Sequence, residues 1–191
     1  MLFRSAFYDA LTKLPNRRLF LDRLDQALTA AARNGGFGAL LFIDLDQFKC
    51  LNDLHGHITG DELLVEVARR LSLCVRRSDT VVRLGGDEFV VMLLDLETGA
   101  DGREGAAAEA TAVAEKIRVA LAENYLLRPA TAPAAQAPLC HRCTASIGIS
   151  LFTGDSDSPE DLIKHADMAM YEAKAAGRNA IRLFGAPAAG A

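Results

Sequence analysis

Apolar residues recur along the chain in two rhythms. Between Leu14 and Asn34 they follow a helical spacing, with Leu21, Leu24 and Leu28 on one stripe and Pro15 suited to a first turn. Gly35 and Gly36 end that segment. Residues 37–45 are apolar on both faces until Asp44, as a buried strand would be. A short helix is expected over 46–57, closed at His55-Gly56, and a longer one over 60–77 with Leu64, Val67, Leu71 and Val75 on one side. Strands at 80–84 and 89–93 flank the turn Gly85-Gly86-Asp87-Glu88, where two positive-φ glycines would suit a type I′ hairpin.

Further along, 97–110 reads as a glycine- and alanine-rich loop running into a helix over 112–124. The stretch 128–138 carries three prolines and reads as a flexible loop, and a strand is expected over 143–152. The last helix opens at the capping signature Ser158-Pro159-Glu160-Asp161 and stops at Gly177; 178–184 offers one more short strand. The order α, β, α, α, β-hairpin, α, β, α implies an α/β (α+β) fold, a mixed sheet of about five strands covered by helices. One domain is expected over 1–184, with 1–8 as a linker and 185–191 as a disordered tail or linker.

Composition narrows the function classes. A formal net charge of −4 argues against a surface built for nucleic acid or anionic lipid. No apolar run approaches the roughly 20 residues of a membrane span, and the N-terminus lacks the apolar core of a signal peptide. Cys50, Cys74, Cys140 and Cys143 are too few and too irregular for a disulfide framework, so a reducing, cytoplasmic setting is expected; membrane anchoring would fall to other parts of a longer protein. Cys140 and Cys143 form a C-x-x-C around His141, but strand positions three apart point to opposite faces, which argues against a metal or redox pair.

The acidic residues are the candidate chemistry. Asp44 and Asp46 sit where a buried strand runs out, and period-two geometry would place both on one side if the strand continued. Asp87 and Glu88 sit on the hairpin turn. If strand and hairpin are sheet neighbours, three or four carboxylates converge, and such a cluster calls for a hard cation. Taken singly, each acid reads more readily as a solvated turn residue than as a ligand. Asn52, Asp53 and Asp61 flank a helix–loop–helix and suit either capping or guanine recognition. Lys174 and Arg178 suit either dipole compensation or a polyphosphate. Met168 and Met170 read as packing residues.

The string "RLGGDEF" is similar to the signature of the GGDEF-domain diguanylate cyclases. "DALTKLPNRR", "FIDLDQFKCLNDLHGHITGDELL", "SDTVVRLGGDEF", "TASIGIS" and "ADMAMYEAKAAGRN" resemble that family's motifs in order, from about Asp9 to Phe184. The resemblance implies a fold like the nucleotidyl cyclase and polymerase palm. It implies Mg²⁺, with Mn²⁺ as the alternative, held by Asp44, Asp87 and the Leu45 carbonyl, and Glu88 helping to activate a 3′-hydroxyl. Asn52 and Asp61 match the guanine-reading pair, amides at Phe48 and Lys49 the phosphate cradle, and Lys174 and Arg178 the terminal-phosphate contacts. The implied reaction condenses two GTP into cyclic di-GMP and two pyrophosphates across a homodimer.

Arg76 and Asp79 match the family's R-x-x-D inhibitory product site, five residues separating Asp79 from Gly85. Lys116 stands where a further arginine often assists; lysine lacks arginine's bidentate, stacked contact, so weaker product inhibition is expected. An upstream sensor and a downstream EAL phosphodiesterase are expected in a longer protein. The alternative function is a GTP-binding module that regulates such a neighbour without cyclase activity.

Overall fold

The computed structural model describes residues 6–96, 102–128, 137–154 and 158–186. Helix α1 spans Arg17–Asn34; Asn16 caps it, its side-chain oxygen accepting from the Arg18 and Leu19 amides at 3.0 and 3.2 Å. Pro15 therefore lies ahead of the helix, not in its first turn, and bridges to Tyr8. Asparagine can satisfy the free first-turn amides and proline cannot, which sets the boundary. Gly35 ends α1 in the left-handed region. Strand β1 (Phe37–Leu45), α2 (Phe48–His55), α3 (His57–Cys74), β2 (Thr80–Gly85) and β3 (Glu88–Leu96) follow. Helix α4 (Arg103–Ala122), β4 (Tyr125–Leu127), β5 (Leu139–His141), β6 (Ala145–Phe152), α5 (Pro159–Ala175) and β7 (Ile181–Leu183) complete the chain.

Two expectations change. Residues 103–110 form the first turns of α4, not a loop. Ala106, Ala110, Ala114, Ile117 and Leu121 are buried along that helix, and alanine both favours a helix and lets it sit close to its neighbour. The expected 128–138 loop is flanked by a two-stranded ribbon that the sequence pattern did not offer, β4 pairing antiparallel with β5. Most of that loop, and most of the 185–191 tail and 1–8 linker, lies outside the described residues.

The main sheet has the order β2-β3-β1-β6-β7, antiparallel except for the β6–β7 pair. It is the five-stranded mixed sheet the pattern implies. Strand β1 is central, and its side chains alternate between two cores. Ala39, Leu41, Ile43 and Leu45 pack with α3 and α4; Leu40 and Phe42 pack with Phe20 and Leu24 of α1 and with Leu162 and Met170 of α5. This parity places Asp44 on the α5 side. Helix α5 runs close over β6, because a Cβ at Gly148 would strike the Ala166 carbonyl and the Met170 amide. No helix among the described residues is long and apolar enough to cross a membrane.

Candidate active site

The hairpin turn is tighter than two central glycines would make it. Gly85 pairs with Glu88, so Gly86 and Asp87 are the central residues. Only Gly86 of those two has positive φ (52°), the pattern of a type II′ rather than a type I′ turn. Gly85 itself is held at φ 151°, a conformation that favours glycine. Arg83 fixes the tip: its guanidinium donates to the Gly86 carbonyl at 2.8 and 3.1 Å and to Asp9 Oδ1 at 3.0 Å. Burial alone would raise the Asp9 carboxyl, but hydrogen bonds from Thr12 and Arg83 outweigh it and hold the group below its ordinary value.

That turn abuts the end of β1. Asp44 and Glu88 are direct cross-strand partners, and the Leu45 amide approaches the Asp87 carbonyl at 3.4 Å. Burial raises the Asp44 carboxyl; Lys174 opposes this with Nζ 2.8 Å from Oδ2, and the charges of Asp87 and Asp46 add to the rise. The Glu88 carboxyl is raised as well, first by partial desolvation and then by Asp44, Asp87 and Asp167. Asp167, on α5, is a member of this electrostatic group that spacing alone did not single out. Lys174, partly exposed near the end of α5, pairs with Asp44 rather than with the helix's last carbonyls.

Asp46 does not join the set. The strand ends at Leu45, and the Asp46 carboxylate turns to accept from Thr144 Oγ1 (2.6 Å), Ser146 Oγ (2.8 Å) and the Asn179 amide (3.0 Å). It fastens the β1 end to β6 and to the turn after α5. Beside it, Gln47, Arg142, Thr144 and Asn179 line a cavity of ≈ 370 Å³. Gln47 takes a left-handed conformation (φ 61°) and lends α2 no side-chain cap, leaving the amides around Phe48 and Lys49 at an uncapped helix start. Arg178 follows α5 with φ 62° and an exposed side chain that has no bonding partner among the described residues.

On α2 the capping alternative for Asn52 fails for the side chain. Its backbone carbonyl accepts from Gly56, but Oδ1 is buried with no partner. A buried amide oxygen left unpaired is costly, and it fits a ligand group that donates to it. Gly60 on α3 leaves it room, since a Cβ there would collide with Oδ1. Asp61 lies in the second turn of α3 and is exposed, too far from the helix start at His57 to cap it. Glu62 Oε2 is also buried without a partner. Asp53 is exposed.

The oxygen donors at Asp44, Asp87 and the Leu45 carbonyl suit a hard divalent cation. Burial first, and then neighbouring carboxylates, raises both Asp44 and Glu88, a charge arrangement that a bound cation would relieve. Among the described residues no three His, Cys, Asp or Glu side chains form a ready metal cluster, so any ion here would lean on the carbonyl and on substrate oxygens. The C-x-x-C does not resemble a second centre: Cys140 is exposed on β5, while burial pushes the Cys143 thiol up to about 12.

Arg76, Asp79 and Lys116 meet at a different place. They share the rim of a ≈ 350 Å³ cavity between the end of α3, the second half of β3 and α4. Asp79 accepts from the Arg76 amide at 2.8 Å and from the Leu94 amide at 3.3 Å.

Comparison with known proteins bears on the family and the fold. The family described as "Diguanylate cyclase, GGDEF domain" matches residues 6–180. The chain is 43% identical over 183 residues to the bifunctional diguanylate cyclase/cyclic di-GMP phosphodiesterase MucR of Pseudomonas aeruginosa, covering 96% of this chain and 24% of that one. It is 41% identical over 176 residues to the response regulator PleD of Caulobacter vibrioides, covering 92% and 36%. It thus spans well under half the length of these curated relatives. Among solved structures, the GGDEF domain of TpbB from Pseudomonas aeruginosa superposes with a TM-score of 0.80 at 39% identity, covering 93% of this chain and 94% of that one. The GGDEF domain of DgcB from Caulobacter crescentus, in complex with c-di-GMP, superposes at 0.80 with 29% identity, covering 95% and 97%. With ordered motifs, sheet topology and sequence match in agreement, the chain belongs to the diguanylate cyclase GGDEF-domain family.

Proposed function

We propose that this chain is a diguanylate cyclase domain, each copy holding one GTP and two copies meeting across their sites to make cyclic di-GMP and two pyrophosphates. The observation that carries the reading is the strand-edge group of Asp44, Asp87, Glu88 and Lys174, with an unpaired Asn52 oxygen on the helix that follows. Asn52 and Asp61 would read the guanine edge, the carboxylate accepting from its N–H groups. Amides at Phe48 and Lys49 would cradle phosphate at the start of α2. Lys174 and Arg178 would take the outer phosphates, Lys174 exchanging Asp44 for substrate oxygens.

Asp44, Asp87 and the Leu45 carbonyl would hold Mg²⁺ or Mn²⁺, whose charge neutralises the phosphates and stabilises the transferring group. Glu88 would accept the 3′-hydroxyl proton of one GTP as that oxygen bonds to the α-phosphorus of the other. The bond from that phosphorus to the pyrophosphate breaks in the same displacement. The raised Glu88 carboxyl makes it a better base than an ordinary glutamate. Arg76, Asp79 and Lys116 would form an inhibitory product site. A cytoplasmic location follows from the need for GTP, and an upstream sensor or a downstream EAL domain would set how often two copies meet.

The test is to incubate the chain with GTP and Mg²⁺ over a range of protein concentrations and follow cyclic di-GMP and pyrophosphate. A rate per mole of protein that rises with protein concentration is expected. Tight GTP binding with no product at any concentration would support instead a GTP-binding module that regulates an attached phosphodiesterase, the arrangement to which the bifunctional relative lends weight.

A further inference from the structure

The cavity beneath Arg76 brings its own anion. Glu109 lies on α4 between the buried Ala106 and Ala110, and its carboxylate stands 2.9 Å from the Arg76 guanidinium. The Glu109 side chain is only 19% exposed and that of Arg76 is 62% exposed. The acid is therefore built into the cavity wall, while the guanidinium reaches over it from the rim. The second cation of the rim is engaged too: Lys116 Nζ donates to the Cys74 carbonyl at 2.9 Å. Asp79 is occupied by two backbone amides. Beneath them Leu93, Leu94 and Val113 make an apolar floor that a flat base could cover.

A phosphodiester entering this cavity seeks the same guanidinium that Glu109 holds. It must displace the carboxylate and then sit beside it, a like charge at short range in a half-enclosed site. We propose that Glu109 is an internal competitor for Arg76, and that it sets the affinity of the cavity for an anionic guanine dinucleotide. The proposal rests on the reading of this cavity as a product site, and it adds the residue that tunes it. Neutralising Glu109 frees Arg76 and removes the repulsion together, so binding tightens. A residue that merely supported the fold would weaken binding when changed.

Binding of cyclic di-GMP, measured by titration calorimetry on the intact chain, separates these cases. Glu109→Gln keeps the side chain's size and is expected to bind on the order of tenfold more tightly than the parent. In the Arg76→Ala background the same change should give no gain, because the competition passes through Arg76. Equal or weaker affinity for Glu109→Gln overturns the competition, as does a gain that survives Arg76→Ala. Failure of all four proteins to bind overturns the product-site reading itself, a result distinct from the first two.

Discussion

Asp44 and Glu88 oppose each other across the β1–β3 ladder with the same charge, an arrangement that lowers the stability of the fold. Both carboxyls are raised above their ordinary values, so the folded protein holds these protons more tightly than the unfolded chain does. Stability from this source is present below the ordinary carboxylate range and is lost as pH rises through the raised values. Glu88→Gln should therefore stabilise the metal-free protein near neutral pH by up to about 1 kcal/mol, or about 2–4 °C in Tm, and flatten its dependence on pH. The same change should lower kcat by about 10²–10⁴-fold, since it removes the proposed base. Thermal melts across pH and initial rates check both; a Tm that falls would mean the pair is not under repulsion. The sequence placed Asp44 near a strand end and Glu88 on a hairpin, but that the two strands are neighbours, with these residues opposite each other, comes from the sheet register. Asp46 was not legible, because Thr144, Ser146 and Asn179, which turn it away, lie far along the chain.

Among the elements, the strands of strong apolar character and the capped α5 could be read from local pattern. The ribbon β4–β5 could not, since strands of three residues have almost no local signal and exist by pairing with each other. The opening turns of α4 were hidden by alanine, which contributes little to an apolar stripe yet packs well. Helix α5 shows how an element's seating reaches the site. It carries Lys174 to Asp44 and rests on β6 at Gly148 with backbone against backbone. Gly148→Ala should lift the helix, costing about 1–3 kcal/mol in denaturant unfolding. It should also lower turnover by about 10-fold or more through the displaced lysine. Wild-type stability and turnover together would show that the helix is not seated on that glycine.

Across the molecule, Asp9 and Arg83 join the beginning of the described chain to the Gly86-Asp87 turn over a separation of 74 residues. Removing either partner should loosen the same tip, so Asp9→Asn and Arg83→Gln should each reduce activity, and the double variant should be little worse than the poorer single one. A double-mutant cycle on kcat measures this; additive losses would mean the two act separately. Asp46 makes longer connections, over 98, 100 and 133 residues, and they have a consequence for how the protein is born. A ribosome delivers the chain from its N-terminus at about 5–20 residues per second. When Asp44 and Asp87 have emerged, Thr144, Lys174 and Asn179 are still unmade. The nascent chain therefore cannot assemble the strand edge while it grows, and the capacity for chemistry arrives only with the last stretch of the domain.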